Sequence, residues 1–213
     1  MIDAAKMIAV RPANPEPLDR YQGYHRIPES GLPLVVLPTT AGTGSEATGV
    51  AVITDTARST KMMILDQHLV PTVAIIDPLL SATMPPALTA NVGVDTLTHG
   101  IEAYVSRLAG PLSDLHAVRC IELVAANLER AHVDGTDIDA REGMALAAYH
   151  GGIAFSNASV GLVHGMSRPV GALFHVPHGL SNAVLLAAVT RFSLDAARER
   201  YGRVAAMLGF ADG

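Results

Sequence analysis

The chain has 213 residues, of which 49% are hydrophobic, 16% are charged and one is cysteine, and its formal net charge is −5. This composition predicts a globular core, excludes an intramolecular disulfide, and gives no electrostatic reason to expect nucleic acid. No stretch approaches the ~20 uncharged apolar residues that a membrane span requires, and no secretory signal pattern is present. We therefore expect a cytoplasmic protein without nucleic-acid or membrane partners.

The first 80 residues combine a helix with short strand-like runs. Residues 2–10 have helical periodicity, and the prolines that follow end this helix. Four apolar runs, each bounded by Gly, Pro, Asp or Thr, then predict strands. These runs are residues 34–37, 50–53, 62–65 and 73–76.

From residue 81 onwards the pattern is helical. Ala and Leu recur at spacings of three and four, and Gly-Pro and Asp-Gly pairs mark the loops. The predicted helices cover residues 89–106, 113–130, 140–157, 160–166, 180–190 and 194–208. We therefore expect an α/β piece over residues 1–80, followed by an all-α domain over residues 81–213.

Four side chains form a candidate metal site. Asp95 and His99 lie four residues apart, so on a helix they share one face and can share one ion, although this helix alone favours a simple Asp–His hydrogen bond. His164 and His178 would stand ~21 Å apart on one continuous helix. The glycines and prolines between them require the chain to turn, which can bring the two rings together. One carboxylate and three imidazoles suit a divalent first-row metal, iron or zinc.

A second candidate site is the segment PTTAGTGSE at residues 38–46, which follows the first predicted strand. Its small residues allow the backbone to approach a ligand closely, and its hydroxyl and N–H groups can bind phosphate or ribose oxygens. Segments rich in threonine and glycine are common in turns, so this segment alone is a weak signal.

Three motifs resemble those of one family, the iron-containing (group III) alcohol dehydrogenases. GVDTLTHGIEAY at residues 93–104 is similar to its first signature, and GLVHGM at 161–166 with VPHGLSNA at 176–183 is similar to its second. The resemblance implies that the metal ligands are Asp95, His99, His164 and His178. It also implies the remnant of a dinucleotide-binding domain over residues 1–80 and a metal-binding domain over residues 81–213.

The cofactor that the resemblance implies is NAD(P), because PTTAGTGSE is similar to a cofactor-contacting segment of the family. A lysine at the start of the third predicted strand, immediately before residue 62, is a further candidate for a ribose or phosphate contact, although it could equally be an ordinary exposed strand-end lysine. The implied cofactor contacts are Thr39, Thr40, Gly42, Thr43 and Lys61.

The candidate catalytic residues lie between the third and fourth implied ligands. The members that this sequence most resembles carry a histidine four residues after the third ligand, where this sequence has Arg168. His175 is therefore the candidate for a proton relay, or else a residue at the pocket edge. Phe155 and Phe174 are candidate walls of the pocket or plain core residues.

The predicted function is hydride transfer between NAD(P) and a small alcohol, aldehyde or ketone. The family's glycine-rich loop before the first helix is missing, and its chain continues past residue 213, so we expect this chain to be truncated at both ends. An unpaired sheet edge and uncovered apolar faces then predict a homodimer or higher oligomer. Two alternatives remain, an inactive fragment that retains the metal site and a metal-dependent hydrolase.

Overall fold

A computed structural model describes residues 1–56, 58 and 60–210. The chain forms two compact units, one of Met1–Pro38 with Ser45–Ile75, and one of Thr39–Gly44 with the residues from Ile76 onwards. The first unit contains the strands and the second contains six of the seven α-helices of the described residues. This confirms the predicted α/β piece followed by an all-α region. Among the described residues, no helix is long and apolar enough to cross a membrane.

The first unit is built from one helix and two small sheets. Strands β3 and β4 pair antiparallel, and β1 adds to β4 in parallel, while β2 and β5 form a separate parallel pair. Apolar side chains of α1, β3 and β4 meet in one core, which includes Met7, Ala51 and Ile64. The bounds are α1 Ile2–Val10, β1 Gly23–Tyr24, β2 Val35–Val36, β3 Val50–Asp55, β4 Thr60–Leu65 and β5 Val73–Ala74.

Two of the four predicted strands are shorter than expected. β2 and β5 each have two residues, although runs of four apolar residues predicted them. Pro33 and Pro38 flank the first run and have no N–H group to donate, so this strand cannot extend beyond residues 34–37 in either direction. β1 was not predicted, because a strand of two residues has no alternating pattern to detect.

A buried lysine ties α1 to the sheet of this unit. Lys6 is fully buried, and its Nζ donates hydrogen bonds to the carbonyl oxygens of Thr48, at 2.7 Å, and Val50, at 2.8 Å. Burial lowers the pKa of Lys6 to about 8, against the opposing attraction of Asp3 and Glu46. The lysine is therefore a structural residue whose hydrogen bonds replace those to the water that it loses on burial.

The second unit packs its helices around α2. This helix lies against α3, α4 and α6, and glycines make the close approaches possible. A Cβ added at Gly93 would lie 2.2 Å from Leu128, and one at Gly100 would lie 3.0 Å from Ile121. The bounds are α2 Pro86–Val105, α3 Pro111–Val133, α4 Ile138–Ala158, α5 Leu162–Phe174, α6 His178–Ser193 and α7 Arg198–Met207.

Two helix predictions were wrong in extent. The helix expected over residues 160–166 is α5, which continues through Pro169 to Phe174. One proline removes a single intrahelical hydrogen bond, here the one to the Gly165 carbonyl, and the helix tolerates this loss. It ends instead where His175 adopts a left-handed conformation, with φ of 55°. The helix expected over residues 194–208 is a 3₁₀ turn, Leu194–Ala196, followed by α7.

Candidate metal centre

Helix α2 carries the first two side chains of the site. Asp95 and His99 lie one turn apart on the same face, and both are buried. His99 Nε2 is 3.8 Å from Asp95 Oδ1. Polar side chains at this depth require polar or ionic partners, because burying them without one costs free energy.

Helices α5 and α6 supply two more histidines from opposite sides of a turn. His164 lies in the first turn of α5 and His178 is the first residue of α6, and the chain reverses between the two helices at His175. His164 Nε2 is 3.4 Å from Asp95 Oδ1, and His178 Nε2 is 3.7 Å from the same oxygen. The structure thus brings the four predicted side chains together around one carboxylate oxygen.

The four side chains differ in exposure. Asp95, His99 and His164 are buried, and one ligand atom from each lies within 4.8 Å of the others. The side chain of His178 is 37% exposed, so the site is open on this side. An open side is typical of metal sites that bind a substrate in addition to the protein ligands.

Aromatic packing fixes the ring of His99. It stacks on His164 with ring centroids 4.6 Å apart and on Phe155 at 4.5 Å. Phe155 therefore forms an apolar wall of the site, as one of its two interpretations predicted. Phe174 is exposed, so its interpretation as a core residue was wrong.

Burial and the neighbouring charges shift the pKa values of the buried side chains of the site. Burial favours the neutral form of Asp95, but the neighbouring histidines outweigh this effect and lower its pKa to about 2. Burial lowers the pKa of His99 to about 4, despite the attraction of Asp95. Burial acts in the same direction on His164, but hydrogen bonds to Asp95 and Glu102 outweigh it and raise its pKa. The site thus combines an ionised carboxylate with a neutral imidazole of His99.

Three of the candidate ligand atoms surround the side-chain amide of Asn182, whose NH₂ group carries a partial positive charge. The amide nitrogen of Asn182 donates to Asp95 Oδ1 at 2.7 Å and lies 3.2 Å from His164 Nε2 and 3.5 Å from His178 Nε2. His99 Nδ1 is buried, and among the described residues it has no hydrogen-bond partner. A carboxylate and three imidazoles arranged in this way can hold a divalent cation.

Two residues of the site were missed by the sequence analysis. Glu102 accepts a hydrogen bond from His164 Nδ1 at 2.6 Å, and Asn182 contacts three of the donor atoms. Both follow candidate ligands at helical spacing, Glu102 three residues after His99 and Asn182 four residues after His178. A polar stripe at these spacings on an otherwise packed helix is the signal that could have identified them.

The segment Thr39–Gly44 belongs to the helical unit. The hydroxyl of Thr96, next to Asp95, donates to the carbonyl oxygens of Ala41 and Gly42, each at 3.2 Å. A Cβ added at Gly42 would lie 2.6 Å from Val92, so this position requires glycine. The buried residues of the segment therefore fix it against α2.

The candidate cofactor contacts are divided between the segment Thr39–Gly44 of the helical unit and a strand of the α/β unit. Thr39 and Thr43 are exposed and Thr40 is half-buried, so the three threonines lie on the outer side of the segment. Gly42 is buried. Lys61 is exposed on β4 in the first unit, in register with Thr54 of β3.

Of the two candidate catalytic residues, Arg168 lies in the middle of α5 and His175 directly follows its last residue. Arg168 is half-buried and follows His164 by one helical turn, so the two side chains share a face of α5. His175 is exposed at the C-terminal end of this helix. Among the described residues, neither side chain forms a hydrogen bond or an ion pair with another residue.

Comparison with family models shows which family the chain belongs to. Residues 1–78 match the model for iron-containing alcohol dehydrogenase, and residues 89–213 match that for the C-terminal part of the Fe-containing alcohol dehydrogenase family. The chain belongs to the iron-containing alcohol dehydrogenase family. The family resemblance of the three sequence motifs is therefore confirmed.

Individual relatives are similar over nearly the whole chain. The NAD-dependent methanol dehydrogenase of Bacillus methanolicus is 44% identical over 207 residues, and the lactaldehyde reductase of Escherichia coli (strain K12) is 43% identical over 209 residues. Each match covers 97% of this chain and 54% of the relative. A solved 1,3-propanediol oxidoreductase has a TM-score of 0.95 at 41% identity, covering 98% of this chain and 55% of that one. The chain thus spans about half the length of these relatives.

Proposed function

We propose that this chain carries the metal centre and part of the nucleotide site of an NAD(P)-dependent alcohol dehydrogenase. The reaction interconverts a small primary or secondary alcohol with its aldehyde or ketone. The observation that carries the proposal is the convergence of three histidines on Asp95 Oδ1 within the helical unit. Membership of the iron-containing alcohol dehydrogenase family and relatives named as dehydrogenases support it.

Asp95, His99, His164 and His178 are the proposed ligands of iron or zinc. Asp95 contributes the negative charge, and the neutral imidazoles set the geometry. When bound, the metal acts as a Lewis acid that polarises the carbonyl or lowers the pKa of the alcohol, while the nicotinamide exchanges the hydride. Phe155 shields the His99 ring from water, and the half-exposed side of the site at His178 admits the substrate oxygen.

The proposed cofactor contacts are Thr39, Thr40, Gly42, Thr43 and Lys61. The outward-facing threonines can donate to phosphate or ribose oxygens, and glycine at position 42 lets the segment pack closely against α2, which holds the threonines in place. The ammonium group of Lys61 can pair with a phosphate.

His175 and Arg168 are the proposed catalytic residues near the substrate. The imidazole of His175 is the proposed proton relay to the substrate. The guanidinium of Arg168 favours a substrate with an anionic or oxygen-rich end, since Arg pairs with carboxylates in a fork geometry. Succinic semialdehyde should therefore be turned over faster than propanal, and Arg168→Ala should remove this preference. Equal turnover of both substrates by both proteins would contradict the role of Arg168.

The two alternatives predict different behaviour. A metal-dependent hydrolase would use the ion to activate water and would need no nucleotide, and the family assignment does not favour it. An inactive fragment would bind the metal without turning over NADH.

The test of the proposed function is NADH consumption by the chain after anaerobic loading with iron or zinc. We expect the NADH absorbance to fall when an aldehyde is added, and not to fall in protein treated with a chelator. Metal binding without NADH consumption would support the inactive fragment instead. Absence of metal binding would refute the proposed centre.

We further propose that the chain is a cytoplasmic homodimer or a higher oligomer. Large apolar side chains are exposed on the small β2–β5 sheet, including Val35 and Val73. Exposed apolar surface of this kind favours association. Light scattering should therefore show a dimer or larger species, and a stable monomer at all concentrations would contradict it.

A further inference from the structure

Glu102 lies behind the proposed ligands on the same face of α2. It follows His99 by three residues and Asp95 by seven, which places all three side chains on one stripe of the helix. The side chain of Glu102 is 5% exposed. A carboxylate at this depth is stable only if its oxygens accept several hydrogen bonds.

The first hydrogen bond of Glu102 determines which nitrogen of His164 faces the site. Glu102 Oε2 lies 2.6 Å from His164 Nδ1, and because a carboxylate oxygen can only accept, the hydrogen bond is donated by an N–H at this nitrogen. The lone pair of the neutral ring is then on Nε2, the atom that lies 3.4 Å from Asp95 Oδ1. A metal ligand needs this tautomer, because the coordinating nitrogen must be free of a proton.

The second hydrogen bond of Glu102 holds the start of α5. Gly161 is the N-cap of this helix and provides no side-chain cap, so the first N–H groups lack an acceptor of their own. Glu102 Oε1 accepts from the N–H of Val163 at 2.6 Å and thus caps α5 from a different helix. Its negative charge also lies at the positive end of the helix dipole.

Gly161 leaves the space that this contact needs. A Cβ added at Gly161 would lie 2.9 Å from Glu102 Oε1, closer than a real Cβ comes to an oxygen without displacement. The same carboxylate therefore fixes the first turn of α5 and the ring of His164 within that turn.

We propose that Glu102 is the positioning residue of the metal centre, fixing the tautomer, the orientation and the location of His164 from the opposite side of the ring. The inference rests on the proposed function only through the metal site and does not depend on hydride transfer.

A glutamine cannot replace Glu102 in this role. The two carboxylate oxygens accept from two N–H donors at once, one from His164 and one from Val163. An amide has one oxygen, so its NH₂ group would face the remaining N–H donor. Glu102→Gln keeps the shape of the side chain but loses one of the two bonds. Glu122→Gln on the exposed face of α3 is the matched control.

The test is titration of the metal-free proteins with cobalt(II), followed by the visible absorption of the bound ion. We expect Glu102→Gln to bind cobalt about 10- to 100-fold more weakly than the wild type, with a changed spectrum. Glu122→Gln should match the wild type in both. The hydrogen-bonded Nδ1 proton of His164 should give a far-downfield NMR signal in the wild type that Glu102→Gln loses.

The outcomes separate the inference from the proposed function. A wild type without a cobalt site would overturn both. A wild type that binds cobalt, together with a Glu102→Gln variant of equal affinity and spectrum but lower thermal stability, would overturn only the inference and leave Glu102 as a helix cap. If Glu102→Gln does not fold, Gly161→Ala displaces the same carboxylate and should weaken cobalt binding in the same direction. Unchanged binding in that variant would also overturn the inference.

Discussion

The two units place their candidate residues by different means. In the helical unit, α2, α5 and α6 each present side chains at fixed helical intervals, and packing between these helices brings Asp95, His99, His164 and His178 together. In the α/β unit, Lys61 lies on a strand of six residues in a three-stranded sheet.

The difference concerns what holds each residue in place. The site residues of the helical unit are buried and hydrogen-bonded to one another, so a change in one affects the others. The α/β unit depends on buried polar anchors such as Lys6 and Asp66, which hold loops and strands rather than a ligand. Helix packing can therefore form a metal centre from residues of one unit, and changes in the other unit should leave it intact.

The largest expected effect is removal of a buried ligand from the helical unit. His99→Ala should lower the affinity for cobalt(II) by more than about 100-fold. Loss of a residue that hydrogen-bonds to a ligand lowers metal affinity about 10- to 100-fold, and loss of the ligand itself should lower it further. His132→Ala, an exposed histidine of α3, should leave the affinity unchanged. Competition titration with a chelating dye measures both. Equal affinity in His99→Ala and His132→Ala would place the metal elsewhere.

The second effect tests the packing that carries His178. A Cβ added at Gly179 would lie 2.0 Å from the backbone oxygen of Asn91 in α2, so Gly179→Ala should force the helices apart. We expect a loss of about 3 kcal/mol in the free energy of unfolding, together with weaker cobalt binding.

Gly202→Ala in α7 is the matched control for this prediction. A Cβ there meets no atom within 4 Å, so this variant should gain up to about 1 kcal/mol from helix propensity. Chemical denaturation measures both variants. A Gly179→Ala variant as stable as Gly202→Ala would show that α2 and α6 do not approach this closely.

The third effect is confined to the α/β unit. Asp66 is buried and accepts hydrogen bonds from the N–H groups of Ile27, at 3.0 Å, and His68, at 3.1 Å. Asp66→Ala leaves these donors without an acceptor and should cost about 1–3 kcal/mol of stability. Asp19→Ala, which breaks an exposed ion pair with Arg58, should cost less than about 0.5 kcal/mol.

Cobalt affinity separates the two units in the same experiment. Because all four proposed ligands lie in the helical unit, Asp66→Ala should bind cobalt as tightly as the wild type. Weaker binding in Asp66→Ala would show that the metal centre depends on the α/β unit.

The smallest expected effect is a pH dependence of the stability of the helical unit, at a pair of histidines that are not proposed ligands. His150 of α4 and His116 of α3 have their Nδ1 atoms 2.8 Å apart. Burial and the positive charges of His116 and Arg119 lower the pKa of His150 in the fold. Below about pH 6.5 the unfolded chain therefore binds more protons at this residue, and the stability that the neutral ring contributes is lost as pH falls through the folded pKa.

Replacement of this histidine isolates its contribution. The stability of His150→Gln should fall less steeply than that of the wild type as pH decreases below about 6.5. The difference is small because the pair is partly exposed and water screens it. Parallel slopes for the two proteins in denaturation at several pH values would contradict the shift.

Helical spacing explains which parts of the site could be predicted. The four-residue interval between Asp95 and His99 indicated a shared face, and the family motifs indicated His164 and His178. Glu102 and Asn182 were missed, although both lie on helices at intervals of three and four from those residues. Their role depends on which donor faces them across a helix interface, and the pattern of one helix does not contain that information.

The strand β2 and the helix α5 depart from the local pattern for different reasons. The length of β2 is limited by its pairing with β5, almost forty residues away, and by the prolines beside it. α5 continues through Pro169, where the local rule predicted a break. The pairing of β2 is a long-range contact that local pattern does not report, whereas α5 shows that one proline does not suffice to end a helix.

The most direct test of the central claim is anomalous diffraction from zinc-loaded crystals, measured on both sides of the zinc absorption edge. The account predicts one anomalous peak about 2.0–2.2 Å from Asp95 and from one ring nitrogen each of His99, His164 and His178. Loss of the peak below the edge would identify the ion as zinc. A zinc-loaded crystal with no peak among these four side chains, or with a peak only elsewhere, would contradict it.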